Sequence, residues 1–272
     1  MKTFFISLTI AAGLLVFAGC QKEAEDLTTP ALNQQEDFGG FTTQSAPGVN
    51  WTNNFNSEAD LTKSFYLLGD PLPVWVASAF NREGLFDNMG ASPDPGYGIS
   101  KSLIGIGGPI EIESEVYLSI TSTNGYCVCP GLGITQKTFY PGQPPAHLQE
   151  VTLSTYFRFM YAGYDATWVP SKYRGHAWIQ AGYMSDGNKF ITLGDYIVSA
   201  DKYANGWHKI KISVTQEHSI RFYIDNVLIW APANGITYKA LKAKNLVMGF
   251  TSSGLAGKAY HNYVKVSYPD IN

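Results

Sequence analysis

The sequence has few cysteines, and neither sign of charge dominates it. Its 272 residues include three cysteines, 19 basic and 22 acidic side chains, and the formal net charge is −3. A near-balanced surface lacks the basic patch that nucleic-acid-binding proteins use, so we expect no nucleic-acid partner. P-loop, HExxH and G-x-S-x-G motifs are also missing from the sequence. Nothing therefore indicates nucleotide binding, zinc proteolysis or serine-hydrolase chemistry.

Long apolar runs are scarce as well. The longest, Phe4 to Phe17, has 14 residues, short of the roughly 20 that span a bilayer. Lys2 precedes this run, and Ala18-Gly19-Cys20 follows it. The arrangement resembles the bacterial lipoprotein signal, with Ala18-Gly19-Cys20 as the lipobox and Phe17 where Leu is usual. The resemblance implies that residues 1–19 are a signal peptide and that Cys20 carries the lipid, palmitate included.

Two alternatives to lipidation stay open, an ordinary cleaved signal and a single N-terminal helix anchor, but the position of Cys20 favours the lipid. The following stretch, Gln21 to Asp26, is rich in acidic residues, with Glu23, Glu25 and Asp26. They resemble the surface-export tag of Bacteroidetes-type lipoproteins, although a solvated start to a linker explains them equally well. We therefore predict that residues 20–50 form a lipidated N-terminus and a disordered linker. We expect a lipid-anchored protein of the bacterial outer membrane, whose exposure at the cell surface depends on the tag.

The remaining 222 residues, 51–272, predict one all-β domain. They carry all six tryptophans and all seventeen tyrosines. Short alternating segments separated by turn residues are typical of a sandwich or barrel, and the sole helical pattern is a short one near Ala59 to Phe65. The clearest predicted strands are Ile110–Ile120, Val151–Tyr161, His176–Met184, Lys189–Val198, Trp207–Thr215, Ile220–Asp225, Leu246–Phe250 and Ala259–Val266.

One stretch within this domain resembles a known fold. Residues 205–215, Asn-Gly-Trp-His-Lys-Ile-Lys-Ile-Ser-Val-Thr, precede residues 220–227, Ile-Arg-Phe-Tyr-Ile-Asp-Asn-Val. The pair is similar to the Gly-Trp-His strand and following hairpin of laminin-G-like, concanavalin A-like jelly rolls, with Asp225-Asn226 in the turn. The resemblance implies a two-sheet antiparallel jelly-roll sandwich over most of residues 51–272. It does not fix the function, because this fold hosts lectins, hydrolases, lyases and adhesion modules.

Alternation also sorts the side chains of these strands by face. Ile210, Ile212 and Val214, with Trp207, are predicted to face inward, and Lys209 and Lys211 outward. On an earlier strand, Glu111, Glu113 and Glu115 share one face. Their spacing resembles the Glu-x-Asp-x-Glu strand of the laminarinase and lichenase family, with Glu113 in place of the central Asp. The resemblance implies a glycoside hydrolase that uses two of these carboxylates on a β-glucan. The alternative is a solvent-facing acidic strand without a catalytic role.

Aromatic and polar side chains concentrate in residues 156–184. If the strands lie in one sheet, their faces combine into a concave surface that suits a polysaccharide or other glycan. Trp168, in the loop after Tyr161, is a candidate lid. A core position is the alternative for the aromatic members. The predicted ligand-binding residues are Tyr117, Tyr156, Arg158, Trp168, His176, Trp178 and Gln180.

We expect no cofactor, with calcium as a weaker option. Asp87 and Asn88 offer oxygen ligands of the kind calcium takes, but turn formation explains such residues as well. Cys127 and Cys129 lie two residues apart, which suits a thiol pair better than a strained disulfide. Two functions follow as hypotheses: carbohydrate binding or adhesion without catalysis, and β-glucan hydrolysis. A structural envelope protein with a protein partner is a third.

Overall fold

The computed structural model describes residues 50–87, 96–105, 109–125, 128–146, 150–193, 198–233, 237–238, 244–249 and 256–269. In this part of the chain the backbone is almost entirely β-structure, with one short α-helix, α1, at Glu58–Ser64. Ser57 begins the helix as its N-cap, accepting a hydrogen bond from the Asp60 amide at 3.1 Å. The apolar side of the helix buries Leu61 in the core.

Two antiparallel sheets make up the domain. Sheet A has eight strands: β1 Trp51–Asn53, β3 Val74–Ala79, β4 Arg82–Asp87, β6 Ile110–Ile120, β11 Trp207–Val214, β12 Ile220–Ile224, β13 Val227–Trp230 and β15 Gly257–Ser267. Sheet B has seven: β2 Phe65–Leu68, β5 Tyr97–Ile104, β7 Gly131–Thr135, β8 Leu153–Tyr161, β9 Ala177–Met184, β10 Phe190–Thr192 and β14 Lys244–Met248.

The order of strands in each sheet is not the order in the chain. Sheet A runs β13-β12-β11-β6-β15-β4-β3, and β1 also pairs with β15. Sheet B runs β10-β9-β8-β7-β14-β5-β2. Each sheet therefore joins strands from both halves of the chain, as the predicted two-sheet sandwich requires.

The main core lies between the sheets and follows from strict alternation. On β6, Ile110, Ile112, Val116 and Leu118 are fully buried, while the intervening glutamates are partly exposed. On β11, Ile210, Ile212 and Val214 are buried as predicted. The prediction that Trp207 faces the core is wrong. It faces the other side of sheet A, where its ring meets Tyr117 at 5.2 Å, because odd-numbered residues of β11 point away from the core.

Tight turns connect neighbouring strands where side chains accept positive φ. Asp225 and Asn226, at φ 50° and 66°, join β12 to β13, which confirms the turn expected from the sequence. Phe80 and Asn81, at φ 49° and 61°, join β3 to β4 in the same way. Positive φ at both central residues gives the twist that a two-residue hairpin needs.

The fold class is confirmed, and most of the predicted strands are present within a few residues. The exception is the predicted strand Lys189–Val198, which ends at Thr192 and is followed by a 3-10 helix at Val198–Tyr203. Among the described residues, no helix is long and apolar enough to cross a bilayer. The predicted signal peptide, Cys20 and nearly all of the predicted linker lie outside the described residues, so these assignments stay predictions.

Candidate functional site

Four of the predicted binding residues lie side by side on sheet B. On β8 and β9, Arg158 is directly opposite Gln180, Tyr156 opposite Gly182, and Trp178 opposite Met160. All four side chains belong to the face that points away from the main core, because their neighbours Phe157, Phe159 and Ile179 fill that core. We call this side the outer face of sheet B.

Arg158 is a charged residue of this outer face, on β8. Every other residue of β8 is buried, and Arg158 alone is partly exposed. Its Nε donates a hydrogen bond to Gln180 Oε1 at 2.8 Å, and its guanidinium carbon lies 5.4 Å from the centre of the Tyr156 ring. Gln180 is itself 2% exposed. The guanidinium is therefore held in one orientation by a buried amide and an aromatic ring.

Two loops cover much of the outer face and build a second apolar cluster on it. The first loop, residues 136–146, is tied to β14 because the Phe139 amide donates to Asn245 Oδ1 at 2.7 Å. The second loop, residues 162–176, packs Ala166, Val169 and Tyr173 onto the sheet. Each loop also presents an exposed tyrosine, since Tyr140 and Tyr164 are 56% and 57% exposed.

The second loop fits closely around Tyr164. A Cβ placed on Gly175, which has φ +73°, would lie 2.2 Å from the Tyr164 ring. Glycine is therefore required at this position both for its backbone angle and for the close approach of the ring. The Tyr164 ring packs against Gly175, and more than half of the Tyr164 surface remains open to solvent.

Trp178 and most of the Tyr156 side chain are buried, so they do not form part of the predicted glycan-binding surface. Trp178 is 1% exposed and lies 5.5 Å from the Tyr173 ring, and Tyr156 is 9% exposed and stacks on Phe190 at 5.9 Å. Both therefore pack as core residues of the second cluster. Trp168 packs against the same cluster and stays partly exposed in the second loop, as predicted.

His176 does not share a strand face with Trp178 and Gln180. Strand β9 begins after it, at Ala177, and the His176 ring turns to Asp201, with Nδ1 3.0 Å from Asp201 Oδ2. The other carboxylate oxygen of Asp201 accepts from the Ala177 amide at 2.7 Å. His176 thus helps to tie the 3-10 helix at Val198–Tyr203 to the start of β9.

The structure separates Tyr117 from the other predicted binding residues. Tyr117 lies on β6, which belongs to sheet A, whereas Tyr156, Arg158 and Gln180 belong to sheet B. One continuous surface through all of them is therefore wrong, because side chains that leave opposite sheets point to opposite sides of the sandwich. Tyr117 instead stacks on Phe80 at 4.2 Å, beneath the β3–β4 hairpin.

The three glutamates of β6 face outward on sheet A, and each has its own partner. Glu111 accepts from Lys211 Nζ at 3.2 Å, and Glu113 accepts from the Tyr263 hydroxyl. Glu115 binds the Arg82 guanidinium through both oxygens, at 3.1 and 3.2 Å, and also accepts from Asn262 at 2.7 Å. Because Arg82 begins β4, Glu115 ties the β3–β4 hairpin to β6 across the outer side of sheet A.

The electrostatics of Glu115 do not suit a general acid. Burial by itself raises the pKa of the Glu115 carboxyl. Hydrogen bonds from Arg82 and Asn262, with the charges of Arg82 and Lys209, outweigh burial and hold that pKa below its usual value. A glycosidase acid needs a raised pKa to hold its proton. The contacts thus explain Glu115 as a structural residue and give no support to a hydrolase that uses it as its acid.

We expect Glu115→Gln to destabilise the domain by about 1 kcal/mol, since the Arg82 side chain is 40% exposed and partly exposed ion pairs are weak. Glu83→Gln is the matched control, because Glu83 is an exposed β4 residue with the same charge. Urea unfolding at pH 7 measures both. The pKa of Glu115 is lower in the folded than in the unfolded protein, so the ionised carboxylate stabilises the fold at a pH above its unfolded pKa. This stabilisation is lost as the pH falls through the folded pKa, so the native protein and Glu115→Gln should become equally stable in acid. Equal unfolding midpoints for both variants at pH 7 would contradict the assigned role.

The metal and thiol predictions fall mostly outside the described side chains. This applies to Asp87, Asn88 and Cys127, whereas Cys129 is buried. Among described residues, no three His, Cys, Asp or Glu side chains lie close enough together to hold a metal ion.

Comparison with known proteins identifies the fold. No protein-family model matches the chain, and no curated protein matches it by sequence. Among solved structures, the CBM2 module of the evolved Dit protein of Lactobacillus casei BL23 phage J-1 matches with a TM-score of 0.53. The two are 8% identical, over 82% of this chain and 96% of the module.

Two glucanases match less well. The glycoside hydrolase family 16 endo-glucanase of Bacteroides ovatus has a TM-score of 0.46 at 12% identity, covering 79% of this chain and 99% of the enzyme. The β-glucanase of Bacillus licheniformis has a TM-score of 0.44 at 17% identity, covering 83% and 100%. These likenesses do not transfer a site. The match to the phage module, together with the two antiparallel sheets, confirms the predicted concanavalin A-like jelly roll.

Proposed function

We propose that this domain binds a glycan on the outer face of sheet B and does not cleave it. One observation carries the proposal: on a strand whose other residues are all buried, Arg158 is partly exposed and held by Gln180 and the Tyr156 ring. The partly exposed guanidinium can donate hydrogen bonds to the oxygen atoms of a ligand at this face.

The two loops that cover the outer face of sheet B carry aromatic rings of the kind that bind sugars. Sugars are recognised by a few fixed polar groups together with aromatic rings. Tyr140 and Tyr164 are exposed on the two loops that cover this face, and Trp168 is partly exposed on the second loop. The fold is shared with a CBM2 module, which is consistent with this proposal but establishes the fold alone.

Loss of Arg158 tests the proposal. We expect Arg158→Ala to weaken glycan binding by about tenfold or more, since a hydrogen bond to a charged group contributes about 1.5–3 kcal/mol. Affinity electrophoresis of the full chain through gels that contain single polysaccharides measures the change. Arg221→Ala, at an exposed site on sheet A, is the matched control and should keep native retardation. Equal retardation of both variants, or no retardation of the native chain by any polysaccharide in a broad panel, would refute the proposal.

We further propose that the protein is a lipoprotein of the bacterial outer membrane, anchored through Cys20. The support is the spacing of Lys2, the 14-residue apolar run and Ala18-Gly19-Cys20. In bacteria that express the full chain, radiolabelled palmitate should enter the native protein, and Cys20→Ser should abolish the label and release the protein from the membrane fraction. A Cys20→Ser protein that still carries the label would contradict the anchor.

A further inference from the structure

Tyr161, the last residue of β8, has a buried side chain whose hydroxyl is not used by the fold. The residue is 3% exposed, and its hydroxyl makes no hydrogen bond with any residue in the described ranges. Buried polar groups of folded proteins are nearly always hydrogen-bonded. Burial raises the pKa of this hydroxyl, and electrostatic interactions with Tyr164, Asp201 and Asp165 raise it further. The hydroxyl therefore lies close to these three residues, at the end of the sandwich where β8 ends and β9 begins.

Tyr164 presents a fixed aromatic ring at this end of the sandwich. Its amide donates to the Thr123 carbonyl at 2.8 Å, and the side chain of the next residue, Asp165, accepts from the Gly125 amide through Oδ1 at 2.7 Å. Gly175 lies against the ring itself. Because the loop already holds the exposed ring in one position, a ligand that stacks on the ring does not have to immobilise it.

His176 adds an oriented polar group beside the ring. It follows Gly175 in the chain, and its Nδ1 lies 3.0 Å from Asp201 Oδ2. A carboxylate accepts hydrogen bonds, so Nδ1 carries the proton, and Nε2 of the neutral imidazole is then an acceptor. In the described part of the chain Nε2 has no hydrogen-bond partner, and the side chain is 45% exposed. Asp165, also exposed, has a second carboxylate oxygen that accepts hydrogen bonds as well.

We propose a second sugar-binding site at the end of the sandwich, formed by Tyr161, Tyr164, Asp165 and His176. The Tyr164 ring suits the C–H face of a pyranose, and the polar groups around it suit the sugar hydroxyls. Most of these polar groups are acceptors, so the ligand has to donate hydrogen bonds. Hydroxyl groups do so, whereas a carboxylate or sulfate does not and is repelled by Asp165. The ligand class is therefore a neutral sugar. The inference goes beyond the proposed function, because Arg158 has no part in this site.

Removal of the Tyr161 hydroxyl is the sharpest test of the second site. Tyr161→Phe should keep the native urea midpoint, since no hydrogen bond within the described residues is lost. It should weaken binding of a neutral polysaccharide about two- to tenfold, the range expected for one hydrogen bond. Tyr183→Phe is the matched control, because the Tyr183 hydroxyl is also without a partner but lies fully inside the main core. This control variant should bind as the native chain does.

Affinity electrophoresis of the full chain measures the binding, in gels that each contain one neutral polysaccharide: xyloglucan, galactomannan or arabinoxylan. Tyr164→Ala should weaken the binding about tenfold or more, as is typical of an aromatic residue at the centre of a contact. Tyr164→Phe keeps the ring and should bind nearly as the native chain does. If Tyr161→Phe fails to fold, the two variants of the exposed Tyr164 still decide the question.

The outcomes separate the second site from the one on the outer face of sheet B. Retardation by a neutral polysaccharide that falls in Tyr161→Phe and Tyr164→Ala, but not in Tyr183→Phe, establishes the second site. Retardation that falls in Arg158→Ala and in neither of the first two variants would overturn the second site and leave the proposed function standing. No retardation of the folded native chain by any of the three neutral polysaccharides would also overturn the second site.

Discussion

A Trp178→Ala variant is expected to lose about 3–5 kcal/mol of unfolding free energy, which is typical of truncating a buried aromatic side chain. Trp178 is 1% exposed and packs against Tyr173 beneath the second loop. Since natural domains are stable by about 5–15 kcal/mol, the loss is a large fraction of the total. Urea unfolding followed by far-UV circular dichroism measures it without relying on tryptophan fluorescence.

Trp168→Ala is the matched control for this prediction. Trp168 is partly exposed and packs on the edge of the same cluster, so its truncation should cost distinctly less. Together the two variants distinguish a core residue from a sugar platform. If Trp178→Ala unfolded at the native urea concentration yet bound glycan more weakly, Trp178 would be a ligand contact and the described burial would be wrong.

The stability of the domain should fall steeply below about pH 6.5 because of His261. This side chain is fully buried on β15, where burial lowers its pKa to about 3. Ser114 Oγ donates to the Tyr263 carbonyl and so accepts from His261 Nδ1 at 2.9 Å, which leaves Nε2 as an unprotonated atom in the core. A proton added there would carry a charge into the apolar interior.

The sign of the effect follows from proton linkage. Between about pH 6.5 and pH 3 the unfolded chain binds a proton at His261 and the folded chain does not. As far as His261 is concerned, the free energy of unfolding therefore has its full value above this range and decreases as the pH falls through it. The slope is about 1.4 kcal/mol per pH unit, or roughly 2–3 kcal/mol between pH 6.5 and pH 4.5. Urea unfolding at several pH values measures it.

Other carboxyl groups also titrate in acid, so the difference between two proteins isolates His261. His261→Gln keeps a donor toward Ser114 but does not titrate, and its stability should depend less on pH by the stated slope. An NMR titration in which the folded His261 ring is half-protonated near pH 6.5 would contradict the prediction, as would parallel pH curves for the native and variant proteins.

The alternation of buried and exposed side chains allows the fold class to be predicted from the sequence. It does not allow strands to be assigned to one sheet or the other. The period-two patterns of β6 and β11 predict their buried rows, because one face of each strand must meet the core. Neither pattern shows which sheet a strand joins. Tyr117 and Arg158 therefore look like members of one surface in the sequence and lie on opposite sheets in the structure.

Contacts between residues far apart in the chain explain the other differences. The partner of Glu115 is Arg82, on a hairpin 33 residues earlier, and Asn262 lies 147 residues later. Asn81 between two alternating segments was a usable signal for that hairpin, since asparagine accepts positive φ. Burial of Trp178 depends on the loop at residues 162–176, whose packing has no periodic signal in the sequence.

The most direct test of glycan binding on sheet B is the NMR signal of the arginine side chains. The chain has four arginines, at positions 82, 158, 174 and 221, and Arg158→Lys assigns the Arg158 Nε–Hε peak by its loss. During titration of the full chain with the glycan that binds best, that peak should shift in a saturable way, while those of Arg82 and Arg221 on sheet A stay unchanged. Saturable binding that moves the Arg82 or Arg221 peak and leaves Arg158 untouched would place the ligand on the other sheet and contradict the account.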